Sequence, residues 1–341
     1  MIKIPHSILI TFDSSESNQK PIKGVMKISN AIDKFYLYES RLTIEYTRSK
    51  HQSIDDAFNM TRCRRLEELW LINYSVFERM PKVSQVTLTS ANNTIEASYS
   101  GLDLPTLSQT LSSESFFSAN VATKILNSRL KDDIIISISY LIASKQPGLD
   151  PMNRFRFLWS AFNPLYESFS TKGYEWEKAK SLVCELDNRG MIKDACSSFS
   201  QAPEPNSHVW RLGKWFSNFK PLRLDKNRDR FKFANSVKVI TGDADIKTLK
   251  AITSRYQYQA CSQIPKDKNP ISNKIESGNS DEGSFFRFVM RDYLYWLRCD
   301  TMHGSSIYPI FMTTEQRQLI EVLNSSLEKI VIESVRLCAS L

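Results

Sequence analysis

Between Ser7 and about Ser100 the apolar positions recur every second residue, the spacing of a half-buried β-strand. Ser7–Phe12, Ile22–Ile28, Phe35–Tyr46 and Leu69–Val76 are rich in β-branched and aromatic residues and are bounded by polar turns, so each is expected to be a strand. Val86-Thr-Leu-Thr-Ser and Thr94-Ile-Glu-Ala-Ser-Tyr99 flank Ala91-Asn92-Asn93, which predicts a hairpin with asparagine at the turn. A helix is expected over Ile54–Glu68, where Arg62, Arg64 and Arg65 meet Glu67 and Glu68 on what reads as a solvated face. The pattern gives a small antiparallel β domain over residues 1–104.

Gly101-Leu-Asp-Leu-Pro105 marks a boundary, and beyond it the apolar spacing changes to three and four. Helices are expected over Ser112–Leu130 and Asp132–Lys145, the latter with Ile134, Ile138, Leu141 and Ile142 on one stripe. Pro147-Gly148 breaks the chain, and Asp150 then caps a helix with Pro151 at its first position. Phe155, Leu158, Trp159, Phe162 and Leu165 bury that helix, and Asn163, polar among them, calls for a hydrogen-bond partner. Further helices are expected over Tyr174–Glu185, Met191–Phe199, Ile246–Gln259, Phe285–His303 and Thr313–Leu337. In the last, Leu319, Ile320, Leu323, Leu327, Ile330, Val331, Ser334 and Leu337 form a stripe suited to a bundle core or a dimer seam.

With 341 residues, 41% of them hydrophobic, the chain is long enough to bury a large core. Six scattered cysteines include no Cys-x-x-Cys pair, and no histidine stands at metal-ligand spacing. No zinc site or other cofactor is expected, and a reduced intracellular setting is. His6 and His51 read as surface residues. Met1-Ile-Lys-Ile-Pro-His6-Ser-Ile-Leu-Ile has too short an apolar core for a signal peptide, and no later run reaches the roughly 18 apolar residues of a membrane span, so a cytoplasmic protein is expected.

A net charge of +8 favours polyanionic partners, and one segment concentrates it. Between Arg211 and Phe233, Arg211, Lys214, Lys220, Arg223, Lys226, Arg228, Arg230 and Lys232 stand against only Asp225 and Asp229, with Trp210, Trp215, Phe216, Phe219, Phe231 and Phe233 interleaved. Cations for phosphates and rings for unstacked bases are what a single-stranded RNA groove needs. The alternative is that the rings are core and the cations a solvated rim.

The chemistry-bearing stretch is Arg291-Asp-Tyr-Leu-Tyr-Trp-Leu-Arg298-Cys299-Asp300-Thr-Met-His303-Gly304. On a helix ending near Gly304, Arg298, Asp300 and His303 come from adjacent turns: a guanidinium to grip phosphate, an imidazole to move a proton near neutral pH, and a carboxylate to orient it. The alternative is a helix-end charge cluster, with Arg298 paired to Asp300 or to a remote acid and His303 a favourable cation at the helix C-terminus.

Two places give the part after Ser112 a resemblance to the HEPN superfamily, named for a higher eukaryote and prokaryote nucleotide-binding domain. Arg298-Cys-Asp-Thr-Met-His303-Gly304 looks like the family's Arg-x(4 to 6)-His signature, and Phe157-Leu-Trp-Ser-Ala-Phe-Asn163-Pro-Leu-Tyr166 is similar to a helix that precedes it in many larger members. The resemblance implies a helical bundle, usually dimeric, with Arg and His pairs facing across the interface. It also implies a metal-independent endoribonuclease used as a toxin or in defence against phage. His303 would then be the general acid or base and Arg298 the phosphate holder. Cys299 departs from the pattern, since nuclease members commonly carry Asn, Asp or His directly after the arginine.

The expected architecture is therefore α+β: a β domain at 1–104 and an all-α HEPN-like bundle at 105–341. The expected partners are RNA, a second copy in a homodimer or higher homo-oligomer, and a protein bound through the β domain, with no membrane. The alternative to the nuclease is a non-catalytic binding, scaffold or sensor subunit of a defence complex.

Overall fold

A computed structural model describes residues 4–12, 21–28, 31–50, 53, 65–77, 83–90, 93–97, 115–171, 173–203, 209, 286–287, 289–302 and 312–341. The expected basic groove at 211–233, the helix at 246–259, His51, Arg62, Arg64, His303 and Gly304 lie outside these residues.

The alternating pattern does form a sheet. Strands β1 (Ile4–Phe12), β2 (Ile22–Ile28), β3 (Ala31–Leu37), β4 (Arg41–Arg48), β5 (Val83–Ser90) and β6 (Asn93–Ala97) make one six-stranded sheet in the order β2-β3-β4-β1-β5-β6. Every pairing is antiparallel, and Ile8 stands between Ile44 and Leu88 across three strands. Because successive side chains point to opposite faces, one face carries Ile8, Ile10, Phe12, Leu42, Ile44, Val86 and Leu88, all buried, while Lys34, Glu45, Thr47 and Thr89 on the other are exposed. The expected hairpin is present: Ser90 pairs with Asn93, leaving residues 91–92 as its connection.

Three expectations for this region are corrected. Phe35–Tyr46 is two strands, reversing at Tyr38-Glu39-Ser40, where the Tyr38 amide donates to the Arg41 carbonyl at 2.7 Å. Leu69–Val76 is not a strand but part of helix α1 (Arg65–Phe77), in which Leu69, Ile72, Asn73 and Val76 are buried. Those positions lie three, four and seven apart, which outweighs the β propensity of the residue types. His6 is buried rather than on the surface, stacked on the Tyr46 ring (5.2 Å between centroids) with Nε2 3.2 Å from the Lys50 carbonyl.

Gly24 has a packing reason. A Cβ there would run into the ring of Phe35 on the neighbouring strand, which lies over the glycine and is 1% exposed. Gly24→Ala is expected to destabilise the protein by about 1–3 kcal/mol, as overpacking does, and a lowered denaturation midpoint at unchanged m-value would show it.

The helices follow as α2 (Ala119–Asn127), α3 (Lys131–Ala143), α4 (Pro151–Phe169), α5 (Glu175–Asn188), α6 (Lys193–Phe199), a π turn over Val289–Tyr293, α7 (Leu294–Met302) and α8 (Thr314–Cys338). Their starts have identifiable chemical causes. Asp150 Oδ1 accepts from the Met152 and Asn153 amides at 3.0 and 3.1 Å, capping α4 as expected. Ser118 Oγ accepts from the Val121 amide, so α2 starts later than the expected Ser112. Thr313 and Gln316 form a reciprocal capping box: the Gln316 amide donates to Thr313 Oγ1 (3.2 Å) and the Thr313 amide to Gln316 Oε1 (3.1 Å). Helix α4 runs through Pro164, and Asn163, expected to need a hydrogen-bond partner among the apolar residues, is instead exposed on it.

The chain divides into two compact units. The first comprises 1–149, 160–168 and 334–341. In it α2 packs on β2, α1 and α3 pack together, Asn73 Nδ2 donates to the Tyr38 carbonyl, and Lys131 pairs with Glu68 at 2.9 Å. The second comprises 150–159 and 169–333. There the expected stripe of α8 is buried from Leu319 to Val331, the Asn324 amide donates to the Pro151 carbonyl at 2.8 Å, and Arg154 pairs with Glu328 at 2.7 Å. The architecture is α+β. Among the described residues no helix is long and apolar enough to cross a membrane.

Candidate functional site

Within the second unit, the chemistry-bearing stretch lies on the π turn and α7. Phe286, Val289, Met290, Tyr293, Leu294 and Leu297 are buried, and their spacing of three and four explains why this segment is helical and which side faces the core. Phe286 meets Phe199 edge to face at 5.4 Å. The helix expected as one run over Phe285–His303 contains the wider π turn, in which the Arg287 carbonyl accepts from Arg291 Nε at 3.1 Å.

Helix α5 lies antiparallel to this segment, and two ion pairs fix the register. Asp187 near the end of α5 pairs with Arg287 at 3.7 Å, while Glu175 at its start pairs with Arg298 at 3.2 Å. Each pair of endpoints is separated by about 17–18 Å of helix, so the two ion pairs are geometrically compatible along nearly aligned axes. The first turn of α5 is held by the Tyr174 amide donating to Glu177 Oε2 at 2.7 Å, which places Glu175 on the turn nearest Arg298.

Arg298 is the one predicted catalytic residue whose side chain is described. Its guanidinium is about a quarter exposed: Nη2 meets Glu175 Oε1, Nη1 lies 3.8 Å from Cys299 Sγ, and the cation stands 6.0 Å from the Tyr295 ring centroid. Tyr295, one turn earlier, donates its hydroxyl to Glu175 Oε2 at 3.3 Å, so one carboxylate takes the arginine on one oxygen and the phenol on the other. The Tyr295 ring in turn packs edge-on against Trp159 of α4 at 6.1 Å. Burial above all, with the Glu175 carboxylate adding to it, pushes the Tyr295 phenol above its usual range, while Arg298 opposes the rise. The phenol thus stays protonated and remains a donor to Glu175.

Asp300 belongs to α7 by its backbone, and His303 follows the last residue of that helix; the Asp300 side chain and all of His303 are outside the described residues. Of the two arrangements open for Arg298, the structure has it paired with a remote acid. Glu175 had no signal in the sequence, because an acid in a first helical turn is ordinarily read as a complement to the helix dipole. Tyr295 had one: it stands three residues before Arg298, a spacing that makes neighbours on a helix.

On the first unit, the outer face of the sheet carries a groove of about 450 Å³ lined by Ser7, Lys34, Glu45, Thr47 and Thr89 among others. Its one cation and one carboxylate occupy facing positions on neighbouring strands, Lys34 opposite Glu45, so it presents little net charge. Comparison with protein-family models, with curated proteins and with solved structures found no match.

Proposed function

We propose that the chain is a metal-independent endoribonuclease of the HEPN type, acting as a toxin or an anti-phage effector, and that it works as a homodimer or higher homo-oligomer. The observation that supports this reading is the setting of Arg298: a partly exposed guanidinium, backed by an aromatic wall of Tyr295 and Trp159, on the helix that leads into His303 five residues later. RNA brings its own nucleophile. The 2'-hydroxyl attacks the phosphorus, His303 accepts its proton, Arg298 stabilises the charge building on the phosphoryl oxygens, and the 5'-oxygen leaves with a proton taken from water to give a 2',3'-cyclic phosphate. DNA, lacking the 2'-hydroxyl, is spared on this route. Asp300 orients His303, and Arg211, Lys214, Lys220, Arg223, Lys226, Arg228 and Arg230 supply a groove for the strand.

The test is incubation of the full chain with RNA in EDTA beside His303→Ala. Cleavage by the native chain and loss in the variant are expected; equal cleavage by both removes the role given to His303.

One observation favours a second reading. The Glu175 carboxylate already occupies Arg298, and Cys299 stands where nuclease members commonly have a polar residue, as in a helical module that binds or scaffolds without cleaving. Overexpression separates the two: a free nuclease arrests growth, and a scaffold does not.

A further inference from the structure

We propose that Glu175 is a carboxylate latch on the phosphate site, holding the Arg298 guanidinium until the backbone of a single-stranded RNA displaces it. This rests on the reading of Arg298 as the phosphate holder and adds how access to that residue is controlled.

A phosphodiester is gripped best by two parallel N–H donors of one guanidinium. In the structure one end of that fork, Nη2, is held by Glu175 Oε1 at 3.2 Å, while Nη1 has the weakly accepting Cys299 sulfur at 3.8 Å. A phosphate oxygen therefore competes with a carboxylate oxygen for Nη2.

The latch is built to hold and to release. Its hold comes from the second bond on the same carboxylate, from the Tyr295 hydroxyl at 3.3 Å, which fixes Glu175 in front of the arginine. Its ease of release follows from exposure: the side chains of Arg298 and Glu175 are 23% and 29% accessible, so solvent screens the pair and the carboxylate can swing to water when an anion arrives. Glu175 is thus a positioning residue that sets the phosphate affinity of Arg298 without touching RNA.

The probe is a single-stranded oligoribonucleotide with 2'-O-methyl groups, which binds but has no nucleophile, so affinity is read without cleavage. By fluorescence anisotropy over a salt series, Glu175→Gln is expected to bind about three- to tenfold more tightly, and its salt dependence to steepen by about 0.7 in the log–log slope, as expected when one more phosphate is neutralised. Tyr295→Phe, which loosens the carboxylate but leaves its charge, should fall between the two. In an Arg298→Gln background Glu175→Gln should leave affinity unchanged. Unchanged or weaker binding by Glu175→Gln overturns the latch, and so does an equal tightening in the Arg298→Gln background, which would mark a general charge effect. The failures are separable. If the native chain leaves RNA intact while Glu175→Gln still tightens through Arg298, the ribonuclease reading falls and the latch stands. If cleavage requires His303 but Glu175→Gln changes nothing, the latch falls alone.

Discussion

Arg298→Ala is expected to cleave RNA about 10²- to 10³-fold more slowly than the native chain, the usual result of removing one group that stabilises charge only as the transition state forms. The fall should appear in kcat as well as in kcat/KM, because an arginine aimed at the phosphoryl oxygens acts more strongly on the transition state than on bound RNA. Arg298→Lys is not expected to restore the rate: an ammonium offers a point charge where a planar fork is needed. The stability of either variant should stay within about 1 kcal/mol of native, since the pair with Glu175 is screened by solvent. A large rate loss at an unchanged melting temperature therefore separates a role in chemistry from a role in folding. A rate loss matched by a fall in melting temperature would instead place Arg298 among the residues that hold α5 and α7 together.

The elements that were legible in the sequence are those whose cause is local. Asp150-Pro151 is written in two residues and caps α4 where it was expected, and the last helix, expected from Thr313, begins one residue later at Thr314. The alternation of β1 and β5 was readable because one face is buried and the other wet. The reversal at Tyr38-Glu39-Ser40 was not, since it contains neither glycine, proline nor asparagine. Leu69–Val76 was misread because apolar residues on both sides of a buried helix imitate a buried strand over so short a run. In the candidate site the arginine was visible as part of a spaced motif. Its carboxylate partner was not, because Glu175 and Arg298 are brought together by packing of α5 on the π turn and α7, and nothing in the neighbourhood of either residue encodes that pairing.

The largest expected stability effect belongs to another long-range pair, inside the first unit. Arg48 donates to both oxygens of Asp33, at 2.9 and 2.7 Å, and Asp33 is almost wholly buried. The guanidinium also lies 4.7 Å from the Tyr46 ring centroid, and that ring stacks on His6, so the charge sits in an aromatic bed on the buried face of the sheet. Asp33→Ala leaves the arginine without its carboxylate and should lower the unfolding free energy by about 3 kcal/mol, readable from the denaturation midpoint. Replacing both partners, Asp33→Leu with Arg48→Met, should recover most of that loss, because no buried charge then lacks a partner. The same cluster makes stability pH-dependent at the alkaline end. Burial pushes the Tyr46 phenol up to about 12, from an ordinary 10, with Asp33 adding to the rise and Arg48 opposing it. Below pH 10 both the folded and unfolded chains keep this proton and its stabilisation is fully present. Above it the unfolded chain loses the proton first, so stability falls by up to about 3 kcal/mol as pH climbs from about 10 through about 12. Tyr46→Phe removes the ionisable group and should flatten this part of the pH profile. Because its Oη has no hydrogen-bond partner among the described residues, the change should cost little at neutral pH. A profile that falls as steeply in Tyr46→Phe as in the native chain would assign the alkaline loss to other groups and remove Tyr46 from the account.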